Sequence, residues 1–168
     1  MDIFVIDIEK AKFVATELLQ KSGQKKFKNE KRELIHSFSY LMLDRILKEV
    51  YRIEDRSIVL CDGKPSLVTN EKYFSISHSG EYIVIGFSDR KCGIDIERIK
   101  SRDYVKISER MRFSSSSLEE FYINWTKYEA QYKLDGVVNS VHSFRMSDYI
   151  ITAVCEGRTE QYEIYYNQ

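Results

Sequence analysis

In the segment Gly93–Glu97, which reads GIDIE, two carboxylates occupy alternate positions, Asp95 and Glu97. On a β-strand this spacing turns both acids to one face. Like charges on one face repel, and each costs desolvation energy if the face is covered. The face is therefore either a solvated strand edge or a place where something positive sits. Glu129 lies in WTKYEAQYK, a segment of helical periodicity, with Lys133 one turn later. The two read as a surface pair at i,i+4 spacing, contributing about 0.2–0.5 kcal/mol, or as a third carboxylate with a cation beside it. His78 stands between Ser77 and Ser79 in SISHSG, read as a turn after a strand. It is a polar surface residue or a ligand for an anion. Two acids on a strand and one on a facing helix would make an all-oxygen site. Such a site suits Mg²⁺, which is held by few carboxylates, several waters and the phosphate oxygens of a substrate. Lys133, His78 and the Ser77–Ser79 turn would then hold the anionic oxygens that the metal does not. The chemistry is that of a metal-bound pyrophosphate.

The elements that must position these residues are legible in outline. IFVIDI at the start reads as a strand, and a basic stretch, Lys21 to Glu33, leads into a helix. In that helix Leu34, Phe38 and Leu41 fall at helical spacing, as do Met42, Ile46 and Val50. CDGKPSL holds the only proline and reads as a turn. KYFSIS, EYIVIGFS and CGIDIERI are three strand-like runs. A second helix carries an apolar stripe through Leu118, Phe121, Trp125, Tyr128 and Tyr132, with Gly136 at its expected left-handed cap. YIITAVC and QYEIYY close the chain as strands. Helices and antiparallel-looking strands in alternating blocks predict an α+β fold. The order strand, helix, turn and strands occurs twice in loose form, so a pseudo-duplicated single domain with halves 1–88 and 89–168 is expected.

Composition narrows the function classes. At 43% hydrophobic and 31% charged, the chain suits a soluble globular protein and not a disordered one. Twenty-six basic residues balance twenty-six acidic ones, which gives no electrostatic footprint for nucleic acid. Cys61, Cys92 and Cys155 are odd in number and widely separated, as thiols in a reducing compartment are. MDIFVIDIEK lacks the pattern of a signal peptide, and no apolar run approaches the roughly 20 residues of a membrane span. A cytoplasmic protein without membrane or nucleic-acid partners is expected.

The blocks GKP, FSISHSG, GIDIE and WTKYEAQYK, in this order, resemble those of the 4′-phosphopantetheinyl transferases of the Sfp type. The resemblance extends more loosely over most of the chain. It implies the fold of that superfamily, a pseudo-twofold pair of small α+β halves. It implies Mg²⁺-dependent transfer of the phosphopantetheine arm of coenzyme A to a serine of an apo acyl, peptidyl or polyketide carrier protein, releasing 3′,5′-ADP. By the same resemblance Asp95, Glu97 and Glu129 match the metal ligands, and Glu129 also matches the base for the serine proton. Lys133, Ser77 and His78 match coenzyme A phosphate contacts, and Lys64 matches a contact to the nucleotide end. The basic stretch of Lys25, Lys26, Lys28, Lys31 and Arg32 is similar in place to the one that meets the 3′-phosphate; Lys28 and Arg32 are its candidates here. Two features depart from the pattern. Tyr128 stands where relatives carry a lysine, and the segment between Phe113 and Trp125 is shorter than theirs, near where the carrier docks. A compact pseudo-dimer acting as a monomer is expected. A catalytically impaired homologue that binds coenzyme A as a regulatory module is the alternative.

Overall fold

Several strand-forming runs carry apolar residues at consecutive positions, so their strands must be covered on both faces. The computed structural model describes residues 1–10, 30–61, 63–158 and 161–166, with side chains in the first helix described from Leu34 onward. Lys28 and the side chain of Arg32 lie outside these described residues, as do those of Lys25, Lys26 and Lys31. In chain order the elements are β1 (Asp2–Asp7), α1 (Glu30–Glu49), β2 (Ile58–Cys61), β3 (Lys64–Leu67), β4 (Tyr73–Ser79), β5 (Tyr82–Ser88) and β6 (Cys92–Arg98). Then follow α2 (Tyr104–Met111), α3 (Leu118–Leu134), β7 (Ser140–Met146), β8 (Tyr149–Cys155) and β9 (Glu163–Tyr166). The fold is mixed α+β, with several sheets, as the sequence predicts.

One sheet has the order β4-β5-β1-β9 and another the order β6-β8-β7. All their pairings are antiparallel except β1 with β9, which run parallel. Alternation sorts the side chains into layers. On β5, Ile83, Ile85 and Phe87 meet Phe38, Leu43 and Leu47 of α1, while Val84 turns to the other sheet. There Ile3, Val5 and Val84 pack against Ile94, Ile96, Tyr149, Ile151 and Ala153. The far face of β8, Ile150 and Val154, is covered by Phe121, Tyr122, Ala130 and Leu134 of α3. The order through the molecule is α1, first sheet, second sheet, α3. In each sheet the second strand of a hairpin lies between its hairpin partner and an earlier strand: β5 between β4 and β1, and β8 between β7 and β6. No helix among the described residues is long and apolar enough to cross a membrane.

Several expectations give way. CDGKPSL is not only a turn: β2 and β3 form a hairpin in which Lys64 lies opposite Cys61, turning at Gly63 with φ of 78°. The strand read as KYFSIS continues through His78 to Ser79, so SISHS is strand and the turn is Gly80 and Glu81. The apolar stripe of α3 is rotated. Its buried residues are Phe121, Tyr122, Thr126, Ala130 and Leu134, whereas Tyr128 and Tyr132 are exposed. Close packing on β6 contributes, since the backbone of α3 at Ala130 lies directly against Gly93. Thr126 is admitted because its hydroxyl bonds Thr152 Oγ1 at 2.7 Å and the Tyr122 carbonyl at 2.9 Å. Asp135, at φ of 52°, takes the left-handed cap expected at Gly136, a conformation aspartate adopts more readily than most residues. Phe121 is fully buried and stacks on the half-buried Trp125 at 5.9 Å. Phe121→Ala is expected to cost about 3–5 kcal/mol and Trp125→Ala less, as read from urea denaturation.

Candidate active site

The acids of β6 lie where the two sheets meet. β6 is the edge of its sheet and β4 the edge of the other, and serine side chains bridge them. Ser75 Oγ accepts from Ile94 N at 3.1 Å, and Ser77 Oγ donates to Asp95 Oδ1 at 2.7 Å. Ser79 Oγ donates to Glu97 Oε2 and accepts from Arg98 N, each at 3.1 Å. Residue numbers rise together on both sides of this seam, so the two strands run parallel.

Ile94 and Ile96 face the core between the sheets, which turns Asp95 and Glu97 together toward the α3 side, as their spacing predicts. The positive group expected beside them is Lys133. From the last turn of α3 its Nζ donates to Asp95 Oδ1 at 2.8 Å and to the Ile94 carbonyl at 3.1 Å. Asp95 is only 5% exposed, and its second oxygen, Oδ2, is buried without a hydrogen-bond partner. Such an oxygen is costly to bury. Burial, and then the negative charge of Asp95, push the Glu97 carboxyl above its ordinary range, partly offset by the Ser79 bond and by Arg102 and Lys100.

Glu129 is half-buried on α3, one turn before Lys133. The described residues form no group of three or more His, Cys, Asp or Glu side chains already gathered around a metal position. Two carboxylates with an unsatisfied buried oxygen nevertheless fit a hard cation that completes its shell with water and substrate oxygens.

Beside this pair lies a cavity of about 150 Å³ whose lining includes Lys64, Lys91, Lys133, Cys61, Cys92 and Asp135. Lys64 donates to the Tyr132 carbonyl at 2.9 Å and pairs with Asp135 at 3.3 Å, tying the β2–β3 hairpin to the end of α3. Three ammonium groups against one carboxylate make this cavity suited to an anion. His78 is exposed, and strand alternation sets it on the face opposite Ser77 and Ser79. Ser77, expected in a phosphate-binding turn, is buried and engaged with Asp95. Of the three cysteines, Cys61 is exposed and Cys92 and Cys155 are buried. Burial pushes the Cys92 thiol up to about 12.

No family model matches the chain. Among curated proteins it is 32% identical over 110 residues to the 4′-phosphopantetheinyl transferase gsp of Aneurinibacillus migulanus, covering 57% of this chain and 46% of that protein. It is 30% identical over 112 residues to the 4′-phosphopantetheinyl transferase psf-1 of Bacillus pumilus, covering 57% and 47%. Over these residues the chain is similar to 4′-phosphopantetheinyl transferases. It spans about half the length of these curated relatives.

Sequence reasoning missed Ser79 and Lys91 as parts of the site, and Ser75 as part of the seam that joins the two sheets. The serines carried a signal: positions 75, 77 and 79 have the period of two that sets side chains on one strand face. Lys91 carried none, because its place beside the cavity follows from the turn into β6 and the packing of α3.

Proposed function

We propose that this chain transfers the 4′-phosphopantetheine arm of coenzyme A to a serine of an apo acyl or peptidyl carrier protein, with Mg²⁺ held by Asp95 and Glu97 and with Glu129 as the third acid. The observation that carries this reading is the unpartnered buried Oδ2 of Asp95, beside Glu97 and next to a lysine-lined cavity. The serine oxygen forms a bond to the phosphorus that bears the pantetheine arm. The bond from that phosphorus to the bridging oxygen breaks, and 3′,5′-ADP leaves with the electron pair. Glu129 accepts the serine proton. Lys133, Lys64 and Lys91 hold the phosphate oxygens and balance their charge; positioning and charge neutralisation are the main demands of phosphoryl transfer. Bound Mg²⁺ would supply the neutralisation of the leaving diphosphate oxygen. By resemblance, Ser77 and His78 are phosphate contacts, and Lys28 and Arg32 are contacts for the 3′-phosphate. We read the chain as one cytoplasmic domain acting as a monomer, with halves 1–88 and 89–168 in pseudo-twofold relation. The like placement of β5 and β8, each between its hairpin partner and an earlier strand, supports that relation.

The test is intact-mass spectrometry of apo carrier proteins incubated with the protein, coenzyme A and Mg²⁺, with and without EDTA. The expected result is a gain of one phosphopantetheine mass that EDTA prevents. No gain on an acyl or a peptidyl carrier, with coenzyme A still bound, would overturn transfer and leave a binding homologue.

A further inference from the structure

The three serines of β4 do different work, although they line one seam. Ser75 accepts from a backbone N–H, that of Ile94, and touches no carboxylate. Ser77 touches only a carboxylate, donating to Asp95 Oδ1. Ser79 does both, donating to Glu97 and accepting from Arg98 N. Two strands from different sheets are thus joined by side-chain hydroxyls. Within that seam, two hydroxyls select which oxygen of each acid is occupied.

We infer that Ser77 and Ser79 are positioning residues for the acid pair, with Ser77 the more important. This rests on the proposed cation role of Asp95 and Glu97. A carboxylate on a strand turns about its terminal torsion over a broad, roughly two-fold range. Asp95 is denied that freedom. Ser77 at 2.7 Å and Lys133 at 2.8 Å both hold Oδ1, so Oδ2 is the oxygen left over. Two donors from two elements fix the plane of the group better than one. Lys133 has a second acceptor in the Ile94 carbonyl and a partly exposed side chain, so by itself it is a looser constraint. The Ser77 hydroxyl is buried on a strand and carries no charge of its own. It orients the acid without competing for an anion. Ser79 acts on Glu97 in the same way from the next position along the face. The acids of one sheet are therefore set by hydroxyls of the other, and the pair exists only where the two sheets are joined. Residues that orient metal-binding groups in this manner are worth about 10–100-fold in affinity.

The serines also supply their own control. Ser75→Ala breaks the seam without touching an acid. It is expected to lower Tm by roughly 2–4 °C for about 1 kcal/mol lost, while Mn²⁺ affinity stays unchanged. Ser77→Ala is expected to weaken Mn²⁺ binding about 10-fold or more, with Ser77→Thr, which keeps the hydroxyl, restoring much of it. In transfer assays Ser77→Ala should raise the metal concentration needed for half-maximal rate more than it lowers the rate at saturating metal. Mn²⁺ binding is read directly from the loss of the free-ion EPR signal, independently of turnover. If wild type binds Mn²⁺ and Ser77→Ala binds it equally well, this inference falls and the metal reading stands. If Ser75→Ala weakens Mn²⁺ binding as much as Ser77→Ala, the seam is merely structural and the inference also falls. A wild-type protein that takes up no Mn²⁺ overturns the metal reading and this inference together.

Discussion

Asp95→Asn is expected to lower transfer by more than about 100-fold, the upper range for residues that only support a metal ligand, while the protein folds normally. The amide is the informative replacement because it preserves the existing bonds. Its oxygen can accept from Ser77 and Lys133 where Oδ1 does now. Its nitrogen then occupies the position of Oδ2, the buried atom without a partner. An amide NH₂ donates and cannot ligate a cation, so ligation is lost while the hydrogen-bond geometry is kept, and the charge that faces Lys133 and Glu97 goes with it. Asp95→Ala would be harder to interpret: it strands the Ser77 hydroxyl and half-buries an unpaired Lys133, so lost activity and lost stability would arrive together. Losing the charge also relieves the repulsion that, after burial, raises the Glu97 carboxyl. Melting curves should make the distinction visible. Millimolar Mg²⁺ should raise the Tm of wild type, since a ligand for the native state stabilises it, and leave Asp95→Asn unmoved. An Asp95→Asn protein that transfers at near the wild-type rate would remove Asp95 from the metal site.

What the sequence made visible, and what it hid, follows from the range of each signal. The alternation of Asp95 and Glu97 with Ile94 and Ile96 is local, and it placed both acids correctly on one face. Lys133 reads from the sequence as a phosphate contact; its bond to Asp95 depends on how α3 lies over β6, which no local spacing reveals. The runs YIVIG and YIITAV named their strands because both sheets are covered on both sides. The seam was harder to see. Ser-His-Ser-Gly is turn-like in composition, and nothing within it indicates that a second strand edge lies alongside to engage the hydroxyls. The hairpin of β2 and β3 was masked by Pro65, tolerated there because a two-stranded ribbon is all edge. The stripe of α3 was drawn through Trp125, Tyr128 and Tyr132 because aromatic size dominates a helical pattern. The buried face instead runs through Ala130, whose small side chain carries little weight in such a pattern. That choice is made on another strand, at Gly93.

Gly93→Ala is expected to lose stability and transfer together. A Cβ on Gly93 would overlap the Ala130 carbonyl oxygen and come within 2.9 Å of Leu134 N. Both are backbone atoms of α3, so no rotamer change relieves the contact and the helix itself must lift. Overpacking costs about 1–3 kcal/mol, occasionally more, and a backbone clash belongs at the upper end. For the same reason Ala130→Gly should not rescue it, since the carbonyl remains. Gly86→Ala is the matched control: its Cβ meets chiefly the terminal methyl of Met1, the far end of a flexible side chain, and it should melt close to wild type. The functional loss follows from geometry. Lys133 precedes Leu134 on the turn that must move, and its ammonium holds Asp95, two residues from the clash, at 2.8 Å. A shift of an ångström breaks that bond and opens the space between acid pair and lysine cavity. Urea denaturation and transfer assays on the same preparations decide the matter. A Gly93→Ala protein as stable as wild type would mean that α3 can move off β6 cheaply, and then the Lys133–Asp95 distance could not be what holds the site in register.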